Sequence, residues 1–198
     1  MKKLYILPVA FGMLLVSCSS GETTIEDLQH EAEAVAEDGA NDIYEFNDAL
    51  LSEVTLIEVE FAKIYDLDEQ DVSEEEFSSE AKKSLEVIAG VQDNLEKMEP
   101  YGSGKGFLDA VRDYADQSET VMNLYYDYSK LLSIPDVDWT DDQLDEFLEV
   151  FEPAEEAHSD AYDEIGTEQE IFASMNGTSV EEEATFDAQE IYEESKEK

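Results

Sequence analysis

Asn41-Asp42-Ile43-Tyr44-Glu45-Phe46-Asn47-Asp48-Ala49-Leu50-Leu51-Ser52-Glu53-Val54-Thr55-Leu56-Ile57-Glu58-Val59-Glu60-Phe61-Ala62-Lys63-Ile64 is the stretch that decides the fold class. Within it Ile43, Phe46, Leu50, Val54, Ile57, Phe61 and Ile64 recur at steps of three and four. That spacing lines one face of an α-helix, whereas a half-buried strand would alternate. Three later segments repeat the pattern. The second holds Phe77, Ala81, Leu85, Ile88, Val91, Leu95 and Met98. The third holds Phe107, Val111, Tyr114, Val121, Tyr125, Tyr128 and Leu132, with Ser118 in the stripe. The fourth is less regular: Leu144, Phe147, Phe151, Ala154, Ala161, Ile165, Phe172 and Met175.

The breaks between these stripes carry helix-terminus chemistry. Val72-Ser73-Glu74-Glu75-Glu76-Phe77 is a capping box, in which Ser73 accepts from the Glu76 amide and the Glu76 carboxylate reaches back. Val72 and Phe77 stand where a hydrophobic staple would form. Trp139-Thr140-Asp141-Asp142-Gln143-Leu144 repeats the scheme, with Thr140 as the cap and Trp139 against Leu144. Acids crowd both first turns, where the helix dipole favours them. Pro100-Tyr101-Gly102-Ser103-Gly104-Lys105-Gly106 reads as a flexible turn, Pro135 as the end of the third helix, and Asn176-Gly177 as the end of the fourth. Pro153 lies inside the fourth pattern, so a kink or break is expected there.

Four amphipathic helices of about 25 residues, each roughly 37 Å long, predict an all-α, antiparallel up-down-up-down four-helix bundle over residues 41–177. Residues 18–40 read as an acidic spacer with one short helix from Ile25 to Ala36. Residues 178–198 are acid-rich and poor in apolar side chains. They are expected to be a flexible, disordered tail in which only a marginal helix could form.

The first residues address the chain. Met1-Lys2-Lys3 precedes an apolar run from Leu4 to Val16 that is too short to span a bilayer and carries Pro8. Charged start and short apolar core make a secretory leader. Leu15-Val16-Ser17-Cys18 resembles the lipobox of bacterial lipoproteins. The resemblance implies a diacylglyceryl group on Cys18, removal of residues 1–17 and acylation of the new amino terminus. Two or three acyl chains anchor stably where one does not. Ser19, rather than Asp, after the cysteine suggests the outer membrane of a Gram-negative cell, and Glu22 suggests display on its surface. Cys18 is the only cysteine, so no intrachain disulfide and no cysteine metal site can form.

Charge excludes one class of partner. Lys and Arg number 11 against 53 Asp and Glu, for a formal charge of −42. Nucleic acid would need a basic patch to neutralise phosphates, and none exists. Anionic headgroups would be repelled too, so acylated Cys18 must supply the membrane affinity, with the domain standing away from the surface. Self-repulsion on this scale opposes compaction and is screened by salt. Adaptation to a saline habitat would explain the acidity without any ligand.

Candidate chemistry is sparse. Glu155 and His158 form Glu-x-x-His, as in di-iron bundles. The second such pair that those sites need is missing, so the pair is expected on a solvent-exposed face and no metal site is assigned. Asp66-Leu67-Asp68-Glu69-Gln70-Asp71 lacks the Gly and Glu of a calcium loop. It and the cluster of Asp136, Asp138, Asp141 and Asp142 precede helix starts, which already explains acids there and leaves room for no more than weak, nonspecific cation binding. Gly102-Ser103-Gly104-Lys105-Gly106 departs from a phosphate loop, which needs Ser or Thr after the Lys. Tyr125 and Tyr128 belong to the core stripe, while Tyr126 points elsewhere. Asn176-Gly177-Thr178 matches a glycosylation sequon without consequence in a bacterial lipoprotein. No nucleophile has an adjacent base, so no catalytic residue and no cofactor is expected.

Together the lipobox, Tyr44-Glu45-Phe46-Asn47-Asp48 opening the first long helix, and Glu168-Gln169-Glu170-Ile171-Phe172-Ala173 near the end of the last resemble the helical-bundle surface lipoproteins of Gram-negative bacteria. The resemblance implies a fold and an address, and no site residue beyond Cys18. The expected function is a non-enzymatic binding or scaffolding role at the cell envelope, with membrane lipid and an envelope protein or glycan as partners. The alternative is a cation- or metal-associated bundle, catalytic or not.

Overall fold

A computed structural model describes residues 23–68, 72–134, 138–178 and 188–196. These residues are all-helical, with seven helices and no strand among them: α1 (Ile25–Asp38), α2 (Ile43–Asp68), α3 (Glu74–Lys97), α4 (Lys105–Asp127), α5 (Ser129–Leu132), α6 (Asp141–Met175) and α7 (Ala188–Lys196). The four expected helices correspond to α2, α3, α4 and α6. The helix starts are made by the expected residues. Ser73 accepts from the Glu76 amide at 3.3 Å, and Glu76 accepts from the Ser73 amide at 3.0 Å. Thr140 and Gln143 do the same at 3.2 and 3.0 Å. Thr24 and Asp27 cap α1 in the same way.

α2 differs from an ordinary amphipathic helix, because from Phe46 to Ala62 every residue but Asp48 is buried. Its expected stripe accounts for one face. The other faces are covered by α1 along the first part of α2 and by α7 at its end, with α3 and α4 beside it. Residues 25–38, expected within a spacer, therefore bury Leu28, Ala32, Val35 and Ala36. Part of the expected disordered tail is likewise a docked helix. Ala188 and Ile191 are buried, and Tyr192 and Lys196 both reach Asp66 of α2, at 3.1 and 3.0 Å.

A ladder of rings ties α6 to the core. Phe172 meets Phe46 and Phe107 at one end. His158 lies between Phe61 and Tyr114 in the middle, and Phe151 and Phe147 meet Tyr125 and Tyr128 further along. Each large apolar side chain buried here contributes about 1.5–3 kcal/mol relative to exposure. Trp139 packs edge-on against Phe147, and its indole donates to the Ile134 carbonyl at 3.1 Å. Met175, expected in the stripe, is 68% exposed at the helix end.

Two local expectations are sharpened. Of the kink or break expected at Pro153, a break does not occur: α6 runs helical through it. Proline removes the bond to the carbonyl four residues back, but Pro153 is exposed, so water can satisfy that carbonyl. Nor is the glycine-rich turn a loose link. A Cβ on Gly104 would collide with the Phe46 ring and lie 2.9 Å from the Tyr101 carbonyl oxygen. One on Gly106 would strike the Glu168 carboxylate. These glycines let the start of α4 sit against α2 and α6.

Candidate functional site

Two places hold ionisable groups in unusual surroundings, and α2 contributes to both. The first is enclosed. Tyr114 of α4 donates its hydroxyl to the buried Glu58 carboxyl, whose pKa burial pushes up to about 7. Burial, and then the nearby Glu58 charge, hold the Tyr65 and Tyr162 hydroxyls well above the usual phenol range. His158, expected on a solvent face, is 3% exposed. Its ring lies 4.9 Å from Phe61 and 4.8 Å from Tyr114, centre to centre. Its Nε2 is 3.1 Å from the Ser118 hydroxyl, and burial lowers its pKa to about 4, so the ring is neutral. The correction has a simple cause: His158 sits seven residues from both Phe151 and Ile165, in the apolar stripe itself. Glu155 is half-buried, and burial raises its pKa. Among the described residues no three His, Cys, Asp or Glu side chains gather as metal ligands. The layer is a polar interior in which Glu58 and His158 are buried and Tyr65 and Glu155 half-buried.

The second place is open. A groove of about 480 Å³ runs between α1 and α3, with α2 as its floor. α1 contributes Gln29 and Glu33, and α2 contributes Glu53 and Leu56. From α3 come Lys83, Glu86, Val87, Gly90, Val91, Asp93, Asn94 and Lys97. Glu53 is the unusual member. It has no exposed surface, and neither carboxyl oxygen makes a hydrogen bond of good geometry. Burial pushes its pKa up to about 8; the nearby Asn94 amide offsets this in part and the Glu33 charge adds to it. Its neighbour Glu60 shows the ordinary alternative, bonded to Lys63 at 2.6 Å and to the Ser84 hydroxyl at 2.9 Å. A buried carboxyl whose one nearby donor is poorly aligned costs stability and holds binding capacity in reserve.

The other residues singled out in the sequence lie elsewhere. Cys18, Pro135, Asp136 and residues 69–71 of the calcium-like stretch are outside the described residues. Asp66 of that stretch is taken by Tyr192 and Lys196. Asp141 and Asp142 occupy the first turn of α6. Tyr125 is buried, while Tyr126 is 40% exposed. Asn176 closes α6 by donating to the Phe172 carbonyl at 2.8 Å and to the Ser103 hydroxyl at 2.9 Å. Glu53 and Glu58 are not apparent from a stripe analysis, since they fall off the stripe of α2. The available signal is that α2 alternates few acids with apolar residues on every side. Comparison with known protein families, with curated proteins and with solved structures finds no match to this chain.

Proposed function

We propose that this is a lipid-anchored cell-envelope protein whose helical domain binds or scaffolds rather than catalyses. The observation that carries the reading is the leader ending in Leu15-Val16-Ser17-Cys18 and followed closely by a folded domain. The α1 cap is Thr24. Six residues from Cys18 to that cap reach at most about 20 Å when fully extended. An acylated Cys18 would thus limit how far the acidic domain, repelled by anionic headgroups, can stand from the lipid. No helix of the described residues is long and apolar enough to cross a membrane, so in this reading the acyl chains do the anchoring. Ser19 favours the outer membrane of a Gram-negative cell, in keeping with a surface lipoprotein family.

In the same reading the four long helices form an up-down-up-down bundle, with α1 and α7 packed on α2. The order of ring partners supports it: rising numbers on α2 and α4 meet falling numbers on α6. Paired spin labels at the ends of α2 and α4 would test it, near ends being expected for residues 44 and 105.

The binding role is supported by the groove between α1 and α3, which lies over the buried Glu53 carboxyl. Anchoring is tested by mass spectrometry of protein from its own cells and by fractionation of Cys18→Ala. The mature chain is expected to begin at an acylated Cys18, and the variant to leave the membrane fraction. An unmodified amino terminus, or a variant that stays with the membrane, overturns the proposal.

A further inference from the structure

We propose that the groove between α1 and α3 binds a small primary alkylamine, with the ammonium group on Glu53 and the alkyl chain along Leu56, Val87 and Val91. The inference deepens the binding role proposed above by naming a ligand class.

The chemistry follows from the lining. Glu53 lies beneath the floor with no exposed surface, and apart from the poorly aligned Asn94 amide its oxygens have no donor, so the side chains over it must part to admit the ammonium. An ammonium group brings donors and a compensating charge. Besides Glu53 the lining carries three acids, Glu33, Glu86 and Asp93, against two bases, Lys83 and Lys97, a balance that favours a cation over an anion. The single deep carboxylate and the apolar patch of Leu56, Val87 and Val91 beside it disfavour a divalent metal, which needs several oxygen ligands. They suit a cation with a hydrocarbon body, whose methylenes gain by leaving water. Gly90 keeps the α3 wall low: a Cβ there would meet nothing within 4 Å.

Binding would also move a proton. With its pKa near 8, Glu53 is mostly protonated at neutral pH. The groups lining the groove around it are Glu33 on α1 and Lys83, Glu86, Asp93 and Lys97 on α3. Lys83 is already held by Glu80 at 2.7 Å. An arriving ammonium favours the Glu53 anion, so its proton passes to solvent while the amine keeps its own. No covalent bond is made or broken in the ligand.

The test is calorimetry of full-length protein, purified in detergent, titrated with hexylamine at physiological salt, where surface attraction is screened beyond about 8 Å. One amine per chain is expected, with proton release seen as a dependence of heat on buffer ionisation enthalpy. Glu53→Gln keeps the shape and should weaken binding about tenfold or more, with no proton release. Gly90→Leu fills open space and suits a helix better than glycine, so it should fold normally and bind no amine. Glu149→Gln, an exposed acid on α6, should bind as wild type. Hexanol should not bind. The proposal is overturned if hexylamine does not saturate, if Gly90→Leu binds like wild type, if Glu149→Gln weakens binding as much as Glu53→Gln, or if hexanol binds equally well. None of these results bears on Cys18, so anchoring and amine binding fail separately.

Discussion

α2 and α6 are both long and acidic, yet they use their acids in opposite ways. On α6 most carboxylates face water, and the inward side is a ladder of rings around one neutral histidine. On α2, Glu53, Glu58 and Glu60 are buried because helices close over every side. Position in the fold, rather than the number of acids, therefore decides which helix senses pH and which senses salt. A solvated carboxylate responds to screening. A desolvated one responds to protons.

The widest separation between the two helices should come from their apolar and backbone positions. Leu50→Ala on α2 removes a side chain with no exposed surface and should cost about 2–5 kcal/mol. Val150→Ala on α6, 40% exposed, should cost under about 0.5 kcal/mol. Urea denaturation of the two variants measures both, and equal losses would break the contrast. Pro153→Ala should act in the opposite direction to Leu50→Ala. It restores a backbone donor in an exposed helix interior and should stabilise by about 1–3 kcal/mol.

Next in size is the response to pH. Burial raises Glu53 to about 8 and Glu58 to about 7. The folded chain therefore binds protons that the unfolded chain lacks between the ordinary carboxyl value and those values. That stability is complete in acid and is lost as pH rises through about 7 to 8. His158 works in reverse, since its lowered pKa costs stability as pH falls from 6.5 to about 4. Tm should climb as pH is lowered from about 9 to about 6 and turn over below about 5. Glu58→Gln should flatten the climb, while Glu149→Gln should leave its slope unchanged. A flat profile in the wild type would show that the α2 acids are solvated after all.

The smallest effect should be that of salt. With a charge of −42, added salt or divalent cations should raise Tm by a few degrees through screening. The gain should be equal in wild type and Glu58→Gln, because a shielded acid gains little from screening. A Tm that does not change with ionic strength would place the self-repulsion elsewhere than in the folded domain.

This contrast also marks what the sequence could reveal. The helix starts were legible down to Ser73, Glu76, Thr140 and Gln143, because capping is local chemistry. The ring stripes were legible because they repeat with the helical period. α2 was legible as a helix but not as a wrapped one. Its cover comes from α1 and α7, short acidic segments whose own composition suggests solvation. Their few apolar residues, Leu28, Val35, Ala188 and Ile191 among them, matter only once α2 is there to receive them. The Glu53 groove was illegible for the same reason. Nothing in Ser52-Glu53-Val54 says that the acid will be covered, still less that its oxygens will make no hydrogen bond of good geometry. His158 could have been placed inside by its register with Phe151 and Ile165. The abundance of acids around it obscured the register.

The docking of α7 on α2 sets a timetable for the newborn chain. Tyr192 and Asp66 are 126 residues apart. At about 5–20 residues per second, roughly 6 to 25 seconds pass on the ribosome between the two being made. Throughout that interval one flank of the central helix has no lining, and the domain cannot finish closing. Closure of the domain around α2 is therefore a late event, completed only after α7 has been made.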